Sequence, residues 1–231
     1  YKAVLDDFLN EASKMDGIKR KGLILATLTK LKQICNHPAQ FLADGSTITG
    51  RSGKLSRLEE LLEEVLESEQ QVLLFTQYRA MGELLADHLV GILGQRPPFL
   101  HGGVSRTKRE NMISSFQNGP QVPILLISLK AGGTGLNLTA ANRVIHYDRW
   151  WNPAVEDQAT DRAWRIGQNQ TVFVHKLVCQ GTLEEKIDQL LTDKKELAEK
   201  SVGTGDDWFT NLDTEQLREV LSLNLAEAVD G

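Results

Sequence analysis

The chain has 231 residues, 41% of them hydrophobic and 25% charged, with a formal net charge of −5. This length suits one large domain, or one domain with attached helices, in an ordinary globular chain. No stretch approaches the roughly 18 apolar residues of a membrane span, no secretory leader is visible at the amphipathic start, and the acidic balance confines any nucleic-acid contact to a local basic patch.

The chain opens at Tyr1 rather than Met, which reads as a segment of a longer protein. Residues 1–43 read as helical, with Leu23, Leu25, Leu28, Leu31 and Ile34 recurring between lysines. Asn36-His37-Pro38 ends that helix, because the residue before proline disfavours the α region. Cys35 and His37 could open a metal site, but no second Cys/His pair completes the spacing, so no metal is expected. Two isolated cysteines, Cys35 and Cys179, fit a reducing intracellular compartment. Asp44 to Gly50 is loop-like and marks a joint.

From Lys54 onward Leu55, Leu58, Leu61, Leu62 and Val65 form an apolar helix face opposite Glu59, Glu60, Glu63, Glu64 and Glu67. That acidic face is a partner surface or, the favoured reading, simply solvated. Gln71 to Thr76 reads as a buried strand, and Met81, Leu84, Leu85, His88, Leu89 and Ile92 as the stripe of the next helix, with His88 in the core. Further strands are expected at Phe99 to His101, Ile124 to Ile127, Val144-Ile145 and Val172 to Val174. Ser105 is placed to cap the helix through Phe116. Strands alternating with helices argue a parallel α/β sheet covered on both faces. Thr182-Leu183-Glu184-Glu185 is a capping box opening a helix, and the acidic tail after Gly203 is an appendage. The expected organisation is a helical segment over 1–50, an α/β lobe over 51–181, and a helix with appendage over 182–231.

The chemistry gathers between Ser128 and Gln168. In open α/β sheets ligands sit beyond the carboxyl ends of the strands. There Gly132, Gly133 and Gly135 permit close backbone approach, and Ser128, Lys130 and Thr134 add hydroxyls and a charge. A plain flexible turn is the alternative. Asn152-Pro153 then starts a helix that places Gln158, Asp161, Arg162 and Arg165 on one face. Two adjacent guanidiniums repel unless an anion or acid is shared. Asp161 can orient one, and a phosphate chain can take both. A surface salt-bridge helix is the bland reading. Of Trp150 and Trp151, one is expected in the core and the other against a nucleic-acid groove. A phosphate-binding loop is missing: Gly50-Arg51-Ser52-Gly53-Lys54-Leu55 lacks a correctly placed first glycine and ends in leucine rather than a hydroxyl residue.

At these residues the chain resembles the second RecA-like lobe of Swi/Snf-type DNA translocases in helicase superfamily two. The resemblance rests on Cys35-Asn36-His37-Pro38, Phe75-Thr76-Gln77, Leu100 to Arg109, Ser128 to Leu138, Trp150-Trp151-Asn152-Pro153, Asp161 to Gln168, and Thr182 to Ile187. It covers nearly the whole chain. It implies a RecA-like fold and a DNA-stimulated ATPase that moves along double-stranded DNA. Arg162 and Arg165 would be arginine fingers reaching ATP, with Gln158 coupling them to DNA. Gly133 and Gly135 would lie near the nucleotide. Gly102, Gly103, Ser128 and Lys130 would contact DNA phosphates, and Trp151 the minor-groove side. ATP with Mg²⁺ would be held mainly by a first lobe, absent here, so the fragment alone is expected to be inactive. A DNA-bound protein is an expected cargo, and a membrane is not an expected partner. Location would be intracellular, in nucleoid or nucleus. Trp164 departs from the family, where many relatives carry histidine. The alternatives are a strand-separating helicase lobe and a binding module that has lost catalysis.

Overall fold

Val72 to Thr76 is apolar until its last residue, and every side chain in it is buried; Ile124 to Ser128 repeats the pattern. Strands buried on both faces must be covered by helices on both sides. A computed structural model of the chain describes residues 1–119, 122–128, 136–150, 153–165, 167–189 and 206–224. The expected site residues Lys130, Gly133, Gly135 and Trp151 lie outside the described residues. The chain divides into two compact units, residues 47–177 and residues 1–46 with 178–231.

In the larger unit, α4 (Gly53–Glu67) leads into β1 (Val72–Thr76), then α5 (Arg79–His88), α6 (Val90–Leu93), β2 (Phe99–Leu100) and α7 (Arg106–Gln117). β3 (Ile124–Ser128), β4 (Arg143–His146), α8 (Pro153–Thr160) and β5 (Phe173–Lys176) complete it. The strands form one sheet in the order β2-β3-β1-β4-β5, and all four pairings are parallel. This is the parallel α/β sheet that the alternation of elements predicts. β1 lies at its centre, so the carboxyl ends of β3, β1 and β4 open side by side. Leu73, Phe75, Leu125, Ile127 and Val144 fill the core with Ala159 and Ala163 from the α8 region. Helix α5 approaches β2 so closely at Gly82 that an added Cβ would sit 2.2 Å from the Phe99 ring.

His88 is largely buried on its helix stripe, and its Nε2 also meets Glu59 of α4. One expectation is corrected here. The helix expected to run through Arg165 ends at Thr160, and residues 161–165 follow as tight turns. There Arg162 N donates to Ala159 O and Ala163 N to Thr160 O, the shorter i−3 pattern that tightens a helix end.

The smaller unit holds α1 (Lys2–Ala12), α2 (Gly17–Asn36), α3 (Pro38–Leu42), a helix α9 over 183–189, a 3₁₀ turn (Asp206–Asn211) and α10 (Thr214–Leu221). α2 stops where Asn36-His37-Pro38 predicts. His37 is extended, at φ −167°, and its Nδ1 accepts the Ala39 amide 3.0 Å away to cap α3. The buried stripe of α2 is Ile24, Leu28, Leu31 and Cys35, not the expected Leu23, Leu25 and Ile34. At α9 the Thr182 hydroxyl accepts from Glu184 N at 3.2 Å, and the Glu185 carboxylate reaches Gly181 N at 3.0 Å. The capping groups are those expected, shifted by one residue. Asp213 and Gln216 form a full capping box on α10. No helix among the described residues is long and apolar enough to cross a membrane.

Candidate functional site

The carboxyl end of β4 is tied to its neighbours by polar contacts. Asp148 is fully buried. Its carboxylate accepts from the Thr76 hydroxyl at 2.5 Å and from Gln77 N at 2.9 Å, joining the ends of β1 and β4. Gln77 Nε2 adds a bond to Arg149 O at 3.0 Å. Lys54 is buried, and its Nζ donates to Tyr147 O at 3.0 Å. That bond ties the start of α4 to the end of β4.

Glu156 of α8 is the centre of a second network. It is fully buried, and its Oε1 accepts from Arg149 Nε at 2.9 Å and from Trp150 N at 2.8 Å. Lys176 Nζ of β5 lies 2.9 Å from Oε2. Burial alone would raise the Glu156 pKa; the Arg149 charge, the Trp150 amide and Lys176 outweigh it and hold it below the usual carboxylate range. Trp150 is half-buried against the core beside these groups. The network fixes where α8 starts, and thereby where the residues that follow it stand.

Those residues are the expected arginines. Gln158 is exposed on α8. Arg162 is 5% exposed, while Arg165 and Trp164 are exposed, Trp164 at 66%. Ala163 between them is buried in the core, and Arg162 O accepts from Leu138 N at 2.9 Å, so the turn is anchored from behind. The Arg162 pKa is pushed down by burial first, then by the charges of Arg165 and of Arg109 on α7. The charges of Arg165 and Arg109 are thus felt at Arg162, and like charges that oppose one another favour a bound anion. Arg109 entered the sequence reading only as the end of a motif; its signal was an arginine one helix after a strand end, which by itself is weak. Asp161 is expected to orient one of the two arginines, and its main-chain oxygen accepts from Arg165 Nε at 3.3 Å.

The Gly102-Gly103 turn follows β2. Gly103 N donates to His101 Nδ1 at 3.1 Å, and nothing lies within 4 Å of a Cβ built at Gly102. Beside the turn runs a groove of about 500 Å³ lined by Arg96, His101, Gly103, Ser105 and Lys108, with Glu83 as its acid. Ser105 caps α7 as expected, accepting from Lys108 N. Ser128 closes β3 and is buried, unlike the exposed glycine turn. The structure therefore buries Arg162, exposes Arg165 three residues on, leaves Gln158 on the exposed side of α8, and sets the Gly102-Gly103 turn beside the groove lined by Arg96, Lys108 and Glu83.

A family model described as helicase conserved C-terminal domain matches residues 53–167. YwqA of Bacillus subtilis, whose name places it with ATP-dependent helicase/translocases, is 46% identical over 226 residues, covering 97% of this chain and 24% of that protein. The human chromatin-remodeling ATPase INO80 is 39% identical over 174 residues, covering 75% of this chain and 11% of that one. The chain thus spans about a quarter or less of the length of these relatives. The Sulfolobus solfataricus SWI2/SNF2 ATPase C-terminal domain superposes with a TM-score of 0.83 at 47% identity, covering 97% of this chain and 92% of that one. The same ATPase core in complex with double-stranded DNA gives a TM-score of 0.86 at 48% identity over 97% of this chain and 47% of that one.

Proposed function

This chain belongs to the helicase conserved C-terminal domains of the SWI2/SNF2 type, and from that premise we propose that it is the arginine-bearing half of an ATP-driven motor on double-stranded DNA. The observation that carries the reading is the turn after α8, which buries Arg162, anchored through its carbonyl to Leu138 N, and exposes Arg165 three residues on. Guanidinium forks match phosphoryl oxygens, and charge placed where it develops on a transferring phosphoryl group lowers the barrier. The exposed Arg165 is the group that reaches a triphosphate. The buried Arg162 supplies charge from below, and Arg109 raises the local potential. A donor set of guanidiniums suits phosphoryl oxygens and not a hard cation, which takes carboxylate and carbonyl oxygens. Mg²⁺ therefore belongs on the opposing lobe, where it would neutralise phosphate charge.

Closure of the two lobes would bring the arginines to the nucleotide, and reopening would step them along the duplex. On the DNA side the exposed Gly102-Gly103 turn and Lys108 in the groove beside it are placed to take backbone phosphates. Lys130 and Trp151 are proposed contacts there, Gly133 and Gly135 flank the nucleotide, and Gln158 links the two sides. The solved SWI2/SNF2 core with bound double-stranded DNA supports this assignment. The test is ATP hydrolysis by the two-lobed parent protein with and without duplex DNA. Arg165→Ala is expected to lower turnover by about 10³-fold or more while duplex binding persists; unchanged turnover overturns the assignment. A strand-displacement assay on the same protein separates translocation from unwinding.

A further inference from the structure

We propose that Cys35, Cys179 and Glu184 form a binding site for a divalent cation of the zinc class. The three ligand atoms, two Sγ and a carboxylate oxygen, all lie within 4.8 Å of one another. They come from three separate places in the smaller unit: the last turn of α2, the stretch after β5, and the first turn of α9. Glu184 is fully buried and Cys35 is 6% exposed, whereas Cys179 is half-buried and leaves a way in. Both sulfurs are thiols, not halves of a disulfide.

The site is built rather than incidental. Glu184 Oε2 accepts from Cys179 N at 3.1 Å, which turns the Cys179 residue toward the carboxylate. The Cys179 thiol donates to Cys35 O at 3.1 Å, which holds the two residues together in the protonated chain and is given up when the thiol loses its proton. Thr182 Oγ1 closes the turn on Cys179 O at 2.7 Å. Zinc bonds thiolate at about 2.3 Å and carboxylate at about 2.0–2.2 Å in a tetrahedral shell, which needs donor–donor separations of roughly 3.5–4 Å. The observed cluster reaches that with a small contraction. Thiolates and imidazole or carboxylate donors suit zinc over magnesium or calcium. Three protein donors leave a fourth position for water. Binding converts two thiols to thiolates and releases two protons. With the carboxylate bound as the anion, the loaded site carries one net negative charge. This proposal is independent of the arginine cluster, which lies in the other unit.

The test uses the 231-residue chain, reduced, stripped of metal by a chelator and titrated anaerobically with Co²⁺. One equivalent is expected to give thiolate-to-cobalt charge-transfer absorption, displaced by Zn²⁺ with release of about two protons per ion. Cys179→Ser, at the half-exposed position, is expected to lose the band. Glu184→Gln is expected to weaken binding by about tenfold or more, the scale on which even outer-shell partners act. Zn²⁺ is also expected to raise the thermal midpoint of the wild-type chain and not that of Cys179→Ser. Reactive thiols with no charge-transfer band, a band that survives Cys179→Ser, or a Cys35–Cys179 disulfide formed by mild oxidant in a chain that takes no metal would each overturn the proposal.

Discussion

Arg149 at the end of β4 and Glu156 in the next helix are joined by a buried ion pair, Nε to Oε1 at 2.9 Å. The Trp150 amide and Lys176 complete the shell around the carboxylate. Removing one partner of such a pair strands the other charge in the interior. Glu156→Ala is therefore expected to cost about 3–5 kcal/mol of stability, read from urea denaturation, with Glu156→Gln costing less because it keeps the shape. Because the folded pKa is depressed, the stabilisation is present above the ordinary glutamate range and lost as pH falls through the folded value. Glu156→Gln should flatten the acid limb of the stability profile. A cost below about 1 kcal/mol for the alanine variant would show that the network does not hold α8.

His146 controls a different pH window. It is fully buried, stacks on Phe75 with ring centroids 5.3 Å apart, and its Nε2 lies 3.0 Å from Thr160 Oγ1. Burial pushes its pKa down to about 4; Glu156 opposes, and Lys176 and Arg149 add to the fall. The unfolded chain takes up the proton near the ordinary histidine value of about 6.5. Between those values the unfolded state binds more protons, so stability is full above about 6.5 and falls as pH drops toward 4, by roughly 3 kcal/mol. His146→Gln should remove most of that slope. The direct measurement is the proton NMR titration of the ring, and a midpoint above 6 would contradict the burial argument.

The central strands were readable because β1 and β3 are uninterrupted apolar runs, the pattern required where both faces are covered. Helix α2 was harder. It carries apolar residues on several sides, and burial fell on Ile24, Leu28, Leu31 and Cys35 because α1, α3 and the 206–211 turn decide which side is covered. The arginines were legible as a motif, but their setting was not. Thr76 and Asp148 meet across 72 residues, and no local spacing announces that. The same holds for Cys35 and Cys179, 144 residues apart. Such pairs follow from strand order or helix packing, which sequence periodicity does not encode.

The guanidinium cluster makes a prediction for the 231-residue chain alone. Arg162 is destabilised as a cation by burial and by two like charges. An anion that several of them share relieves that repulsion, so tripolyphosphate should stabilise the fold. At about 100 times its Kd a ligand adds about 2.7 kcal/mol, and each kcal/mol moves the midpoint of a chain this size by roughly 2–4 °C. Calorimetry should show the shift fade with added salt and shrink in Arg162→Ala, Arg165→Ala and Arg109→Ala. An equal shift in all three variants would place the anion elsewhere.

Gln168 holds the turn that carries those arginines. Its Nε2 lies 2.8 Å from Ala141 O, 3.1 Å from Thr139 O and 3.3 Å from Ala163 O, and its Oε1 accepts from Gln170 N at 2.9 Å. Gly167, just before it, has φ +104°, a conformation that strains any residue with a Cβ. Gln168→Ala leaves several carbonyls without their donor and should cost about 1–3 kcal/mol; Gly167→Ala should cost about the same through backbone strain. Both changes loosen one turn, so their effects should not add. A double-mutant cycle by urea denaturation is expected to show a coupling of about 0.5 kcal/mol or more. Strict additivity would mean that the glycine's backbone and the glutamine's amide act on separate parts of the fold, and that the arginines are held by Ala163 and Leu138 alone.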